Sequence, residues 1–521
     1  MKETQVTLGE VLEETKERYP EKIALLYKKK ETSFKELNSI VNKFAHLLQR
    51  IGVKRGDRVA VILNNSLEFV LSHYAIFKLG AIAVPLNPSF KEEELKYLLK
   101  DSKAQTVILK SPLTKILKRL KEALPDLKNI IITDLPRGAR LQIGQLRRPP
   151  LPRTPRGARS LYFWEEIKRE KRVGFALKKI RPTDPAVIIY TSGVTSLPKG
   201  ALLTHKNLIF CAQSSIKAGA VSKEDTFLTV IPLFHAYALT VCMNIPILLG
   251  ARSLILESFI PQKVIQAIKK YKVTLFPGVP TMFAYLLNTP GIRKKDLQSL
   301  RFCLSGAMPL DSQILKSWEE KFAIPILEGY GPTEAGPVAS LNPLKGQKLG
   351  SVGVPIPGVS IKIVDEKGVE FPVGKVGEVI ISGPNVMKGY LNQSATKKAL
   401  KKGWFYTGDL GKKDQEGYLY LVGRKKEMII VGGFKVYPKE VEEVLLKHPQ
   451  IIEAAVVGVQ DQYKGESVKA FIVLEPEGEL SHEETINFLK ERLADYKIPR
   501  YLEFRKELPK TELGKILKRE L

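Results

Sequence analysis

Cysteine is scarce. Cys211, Cys242 and Cys303 are the only three among 521 residues, far apart and with no Cys-x-x-Cys pair. That excludes a disulfide framework and a thiolate zinc site, and it suits a reducing compartment, so the expected location is cytoplasmic. The amino-terminal MKETQVTLGEVLEETKERYPEK lacks the apolar core of a secretory signal. Long apolar runs are also missing, with one stretch to weigh: no charged residue falls between Asp225 and Arg252. Its length would permit a membrane helix. Pro232, His235, Asn244 and Pro246 interrupt it, and each breaks a helix or is costly in lipid. It is expected as a buried segment lining a pocket. Acidic balance is lacking as well: 83 Lys and Arg face 55 Asp and Glu, a net charge of +28. Zinc-finger spacing and a basic aromatic RNA-binding signature are both missing, so no nucleic-acid partner is expected.

The chain is too long for a single core, so more than one domain is expected. Short Val- and Ile-rich runs at 58–65, 81–87 and 106–110 read as buried strands, and 66–79 and 92–102 read as the helices between them. This alternation predicts an α/β fold with largely parallel sheets. From 345 to 423 the pattern changes to short strands with frequent Gly and Pro, a β-rich subdomain. GRKKEMIIVGG (423–433) marks a break, followed by a helix-strand-strand-helix pattern able to form a small α+β domain. The expected division is 1–423 and 424–521. Within the first part, 137–172 carries eleven Lys and Arg against Glu165, Glu166 and Glu170, and repeats PRGAR around a Pro-rich stretch. It reads as an exposed inserted loop, simply solvated first, drawn to anionic lipid second and to nucleic acid last.

Four stretches carry chemistry. YTSGVTSLPKG (190–200) follows the strand pattern AVIIY and runs toward a helical segment after Gly200. Backbone N–H groups in such a turn, with hydroxyls and a lysine, form an anion nest, although the GxxxxGK[ST] of mononucleotide kinases is absent. In LEGYGPTEAGP (327–337), Tyr330 between two glycines can face a base, Thr333 can donate to phosphate, and Glu334 offers a hard oxygen to Mg²⁺. GWFYTGDLG (403–411) puts Asp409 on a tight turn where it can accept from ribose hydroxyls. LPKTELGKILKREL (508–521) carries Lys515 after a glycine. Taken singly, each is also compatible with an ordinary turn, bulge or helix-end cation.

In order and spacing together, these motifs resemble the adenylate-forming superfamily, from about Leu8 to Leu521. PLFHAYALTVCMNIPILLGA, EGYGPTEAGPVASLNP and GRKKEMIIVGGFKVYPKEVEEVL look most like bacterial long-chain fatty acid–CoA ligases. Ile430 stands where the aryl-CoA and luciferase branch commonly has lysine. The resemblance implies a large amino-terminal domain of α/β and β-rich subdomains with a small mobile α+β cap. It implies activation of a fatty acid by ATP and Mg²⁺ to an acyl-adenylate, then transfer to coenzyme A. Carried over by motif, Thr191, Ser192, Gly193, Thr195 and Lys199 hold the β- and γ-phosphates. Ser305, Gly306 and Ala307, with Gly329, Tyr330 and Gly331, frame adenine. Thr333 touches the α-phosphate, Glu334 the metal, and Asp409 and Arg424 the ribose. Lys515 bridges carboxylate and α-phosphate, and His235 stands at the acyl-carboxylate entrance. Lys426 is the hinge, and Gly432, Gly433 and Lys435 approach the pantetheine of coenzyme A. Relatives commonly dimerise, so a homodimer is an expectation.

Two departures stand out. Val194 replaces a usual Ser or Thr, and Ser196 a usual Gly. A hydroxyl bonded to a charged group contributes roughly 1.5–3 kcal/mol, and a left-handed backbone at Ser costs about 1 kcal/mol. Weaker ATP binding is the expected result. The alternatives are a ligase for medium-chain or aryl acids, one that loads a carrier protein, or a non-catalytic acyl or nucleotide binder. Retention of Lys515, Glu334 and Asp409 argues against the last.

Overall fold

The computed structural model describes residues 5–120, 123–134, 159–177, 179–193, 196–431, 433–461, 465–476, 478–511 and 514–521. They form two compact units. One comprises Met1–Gln347, Pro355–Ser360 and Ser382–Phe405, and the other Lys348–Val354, Ile361–Ile381 and Tyr406–Leu521. Residue 424 is therefore not the edge of a unit. The chain passes through it inside an antiparallel ladder that pairs Asp409 with Arg424 and Lys413 with Leu419.

In the first unit the alternating pattern folds as the sequence predicts. Strands Arg58–Ile62, Ile82–Pro85 and Thr106–Leu109 are separated by helices Leu67–Leu79 and Glu92–Ser102. Ser66 caps the first helix by accepting from the Phe69 N–H, and Gly80 ends it at φ +69°. These strands, with Asn129–Ile132 and Arg159–Tyr162, run parallel in one sheet, and a hairpin of Pro185–Gly193 and Ser196–Thr204 joins its other side. All four residues of Ile82–Pro85, Thr106–Leu109 and Asn129–Ile132 are buried, as a parallel sheet covered on both faces requires. A second sheet places Ile326–Tyr330, Phe302–Ser305, Leu275–Gly278, Thr226–Thr229, Arg252–Ile255 and Ile23–Tyr27 side by side in parallel.

The uncharged stretch is not one helix. After strand Thr226–Thr229 it forms a short helix, Ala236–Ala238, a π-helical turn, Leu239–Asn244, and helix Ile245–Leu249. Pro246 explains the π turn: without an N–H it cannot satisfy the Cys242 carbonyl four residues back. That carbonyl accepts instead from the hydroxyls of Thr229 and Ser253, both at 3.2 Å. Among the described residues no helix is long and apolar enough to cross a membrane. Cys211, Cys242 and Cys303 are all free and buried.

The expectation of an exposed loop over 137–172 needs correction for its second half. Arg159–Tyr162 is a strand paired with Asn129–Ile132, and Phe163–Arg169 is a helix. The physical reason is the apolar side of LYFWEEI. Phe163 packs 4.5 Å from Phe44, centroid to centroid, and the Trp164 indole donates to Glu68 at 2.8 Å. Residues 137–158 lie outside the described residues.

In the second unit the carboxy-terminal sheet runs Phe434–Val436, Ile429–Val431, Gly465–Leu474, Ile451–Asp461, with Tyr501–Phe504 parallel to Gly465–Leu474. Helices Pro438–Leu445 and His482–Lys490 contribute Val441, Leu445 and Leu489 to its core.

Candidate active site

The phosphate-loop motif sits at a hairpin, not at the strand-to-helix turn expected from the sequence. Tyr190 pairs with Gly200, Thr191 with Lys199 and Gly193 with Ser196, and the strand continues to Thr204 before helix His205–Gly219 begins. GALLT stays extended because both edges are paired: Ala201 and Leu202 face Ile189 and Ile188 on one side, Tyr390 and Gly389 on the other. Thr195 lies outside the described residues, as do Val194 and the side chains of Ser192 and Ser196. The hairpin stem is fastened from helix Glu92–Ser102. The Tyr97 hydroxyl donates to the Pro198 carbonyl at 3.0 Å, and that of Tyr190 to Asp101 at 2.7 Å. Burial and then the Asp101 carboxylate push the Tyr190 pKa up, so it stays a donor.

Across from the hairpin, Glu334 lies in a 3₁₀ turn, Thr333–Ala335, directly after strand Ile326–Tyr330 and Pro332. The Thr191 hydroxyl donates to its Oε1 at 3.1 Å and the Tyr390 hydroxyl to the same oxygen at 2.7 Å. The Lys199 ammonium lies 5.8 Å from the centre of the Tyr390 ring. A second segment clasps this turn from outside. Met387 N–H donates to the Glu334 carbonyl at 2.7 Å, and Asn385 Nδ2 to the Ala335 carbonyl at 2.7 Å. Thr191, Lys199 and Glu334, 143 residues apart at the extremes, are thus brought together. Sequence reasoning does not reach Tyr390, Tyr97 or Asn385. The Gly-Tyr pair at 389–390 is the faint signal, and only the cross-strand pairing makes it legible.

Ser305, Gly306 and Ala307 leave the carboxyl end of one parallel strand, and Gly329, Tyr330 and Gly331 that of its neighbour, where ligand crevices form in open α/β sheets. A Cβ at Gly306 would sit in ordinary contact, 3.7 Å from the Gly329 carbonyl oxygen, so the two segments are adjacent. Ala307 holds φ +68°, a conformation few L-residues adopt. At Gly331 a Cβ would lie 2.2 Å from the Pro337 carbonyl oxygen, so only glycine fits. His235 is half-buried at the start of helix Ala236–Ala238, its ring 4.6 Å from Phe234. Asn65 holds the loop before it, accepting from Leu233 N–H at 2.7 Å and donating to the Ile231 carbonyl at 3.0 Å.

In the second unit, Asp409 is not on a tight turn. It lies within strand Trp404–Lys413 just after Gly408, whose φ of +72° supplies the bend that the motif suggested. The buried Asp409 carboxylate accepts from Arg424 Nε at 2.7 Å across the ladder. Lys515 is not at a helix end. Its N–H donates to Thr511 Oγ1 at 3.1 Å, and its carbonyl accepts from Thr511 N–H at 2.8 Å. Much of the Lys515 side chain is open to solvent, yet desolvation, and after it the nearby Arg424 charge, lowers its pKa from the ordinary lysine value. Asp409 and Glu427 act the other way. Lys426 occupies the turn closed by Glu427 N–H on the Arg424 carbonyl at 3.0 Å. Gly433, at φ +87°, turns Ile429–Val431 into Phe434–Val436, where Lys435 pairs with Ile430; Gly432 is outside the described residues.

A single carboxylate beside a lysine-bearing hairpin suits a hard dication held jointly with nucleotide phosphates, the usual manner of Mg²⁺. Among the described residues no group of three His, Cys, Asp or Glu could hold a metal by itself. These features define an α/β enzyme equipped for nucleoside triphosphate. Comparison with known proteins makes the class specific. Residues 12–391 match the model of the AMP-binding enzyme family, and 440–515 that of the AMP-binding enzyme C-terminal domain. The chain belongs to the AMP-binding enzyme family. It is 39% identical to a long-chain-fatty-acid–CoA ligase of Bacillus subtilis (strain 168), across 99% of this chain and 94% of that one. A ligase of the same name from Escherichia coli O157:H7 is 33% identical over the same shares. Among solved structures, ATP-bound MatB from Rhodopseudomonas palustris superposes with a TM-score of 0.88 at 28% identity, covering 99% of this chain and 98% of that one. An o-succinylbenzoate coenzyme A synthetase from Bacillus subtilis, in complex with ATP and magnesium ion, does so with 0.82 at 31% identity, covering 98% of each.

Proposed function

We propose that the chain is a long-chain fatty acid–CoA ligase that works in two half-reactions. In the first, a carboxylate oxygen of the acid attacks the α-phosphorus of ATP, the bond to pyrophosphate breaks, and an acyl-adenylate forms. In the second, the thiol of coenzyme A attacks the acyl carbon and AMP leaves. The observation that carries the reading is the hydrogen bond from the Thr191 hydroxyl to the Glu334 carboxylate, made from the same hairpin that carries Lys199 opposite Thr191. The names of the full-length relatives direct it to long-chain acids, and the buried, uncharged 226–251 stretch offers an apolar wall for them.

Thr191, Ser192, Gly193, Thr195 and Lys199 hold the terminal phosphates. Ser305, Gly306, Ala307, Gly329, Tyr330 and Gly331 frame adenine, and Asp409 with Arg424 holds ribose. Thr333 donates to the α-phosphate and His235 orients the acid. Glu334 ligates Mg²⁺, which when bound neutralises phosphate charge. Lys515 stabilises the charge developing between carboxylate and α-phosphate, a positioning and electrostatic task. Residues 424–521 then swing about Lys426, taking Lys515 away and bringing Gly432, Gly433 and Lys435 to coenzyme A.

The test incubates the purified protein with ATP, Mg²⁺, coenzyme A and acids of graded length, following pyrophosphate and thioester. Thioester with long chains alone supports the reading. Pyrophosphate without thioester points to a carrier-protein acceptor, thioester with aryl or medium-chain acids to another substrate, and neither product at high ATP overturns it. Three further proposals remain: a cytoplasmic location, from the free buried cysteines; contact of the basic 137–172 segment with anionic membrane, from its charge; and a homodimer, from the resemblance alone. Vesicle sedimentation with and without anionic lipid, and sedimentation velocity, test the last two.

A further inference from the structure

We propose that Tyr390 is a positioning residue for Glu334. Together with Thr191 it commits one carboxylate oxygen and so presents the other to the divalent cation that accompanies the nucleotide. The inference rests on reading Glu334 as that cation's ligand. Both hydroxyls fall on Oε1, at 2.7 Å from Tyr390 and 3.1 Å from Thr191, and no hydrogen bond from a described residue falls on Oε2. The main chain of Glu334 is held separately by Met387 N–H at 2.7 Å. A carboxylate fixed at both points offers a single, directed oxygen. That is what a small cation with strict octahedral geometry accepts without giving up its waters and phosphate oxygens.

Tyr390 is itself held in place. Its N–H donates to Thr396 Oγ1 at 2.9 Å, and the same hydroxyl donates back to its carbonyl at 3.2 Å. The two-residue strand Gly389–Tyr390 is paired with Leu202 and Ala201 of the phosphate hairpin. A Cβ at Gly389 would meet Thr396 Cγ2 at 2.8 Å, so the turn into this strand needs glycine. The Lys199 ammonium lies 5.8 Å from the centre of the same ring. One side chain therefore bonds the carboxylate through its hydroxyl and has the Lys199 ammonium in cation–π range of its ring.

Tyr390→Phe removes the hydroxyl and keeps the ring, so lysine contact and packing persist. Hydrogen-bond partners of metal ligands commonly change metal affinity by about 10–100-fold. The experiment measures Mn²⁺ binding by electron paramagnetic resonance in the presence of a non-hydrolysable ATP analogue. It also measures the Mg²⁺ concentration for half-maximal pyrophosphate exchange. Wild type, Tyr390→Phe, Glu334→Gln and the double variant are compared. Expected for Tyr390→Phe is roughly tenfold weaker Mn²⁺ binding and a matching rise in the Mg²⁺ requirement. The fatty-acid KM should stay unmoved and the melting temperature within about 2 °C. The double variant should bind Mn²⁺ no more weakly than Glu334→Gln. Unchanged Mn²⁺ affinity in Tyr390→Phe, with a clear loss in Glu334→Gln, overturns the proposal alone. So does a full additional loss in the double variant, because the hydroxyl would then act elsewhere. Unchanged affinity in Glu334→Gln overturns the reading of Glu334 and the proposal with it.

Discussion

Lys515 combines a solvent-facing position with a depressed pKa, and this gives its proposed role a pH signature. Only the ammonium form can bridge two anions. Because desolvation and Arg424 lower its pKa, that form is lost at a lower pH than for an ordinary lysine. Acyl-adenylate formation should therefore fall on the alkaline side before the ordinary lysine value is reached. Arg424→Gln removes one repelling charge and should shift that limb to higher pH, measured by pyrophosphate exchange across pH. Lys515→Ala should abolish adenylation and spare thioester formation from supplied acyl-adenylate; equal loss in both would sink the assignment. Val194→Thr with Ser196→Gly should lower the apparent KM for ATP about tenfold, the equivalent of one charge-assisted hydrogen bond. An unchanged KM would mean that the backbone and Lys199 suffice.

Elements differ in how far the sequence foretells them. The helix at 66–79 is legible from its Ser66 cap and the Gly80 that follows, and that at 92–102 from the helical spacing of Leu95, Leu98 and Leu99 behind an acidic first turn. The hairpin Pro185–Thr204 is not, because one of the two edges that keep GALLT extended is paired with Gly389 and Tyr390, nearly two hundred residues downstream. The bend at Asp409 is half legible: Gly408 supplies it, yet the residue sits mid-strand because Arg424 lies opposite. Of the site, the residue types and order are readable from motifs. The hydrogen bonds that aim Glu334 are not, since Tyr390 belongs to no motif of charge or spacing. The 3₁₀ turn bearing Glu334 depends on close backbone approach, and Gly331→Ala tests it. With the added Cβ 2.2 Å from a carbonyl oxygen, the loop must shift. Pyrophosphate exchange should drop at least a hundredfold while far-ultraviolet circular dichroism stays native. Activity near wild type would show that the loop yields.

For the whole molecule, two buried histidines contribute to the loss of stability in acid. His73 donates from Nδ1 to the Phe69 carbonyl at 2.8 Å, and His205 accepts at Nδ1 from Leu8 N–H at 3.3 Å. Burial lowers both pKa values to about 4, against an attractive effect of Asp184 on His205. The unfolded chain takes up these protons from about pH 6.5 downward and the folded chain does not. Their contribution is thus intact above pH 6.5 and is lost toward pH 4, by on the order of 3 kcal/mol for each histidine. Urea midpoints across that range should fall, and the slope should be shallower in His73→Phe. An unchanged slope in that variant removes His73 as a cause.

The three cysteines acquire a meaning from the proposed second substrate. Burial pushes the Cys211 thiol up to about 12 and raises Cys242 and Cys303 as well. The folded chain therefore offers no reactive thiolate to a substrate that is itself a thiol. Oxidised coenzyme A, a symmetrical disulfide, finds nothing on the folded protein to exchange with. An acid–thiol ligase so built stays unmodified when the thiol pool around it turns oxidising.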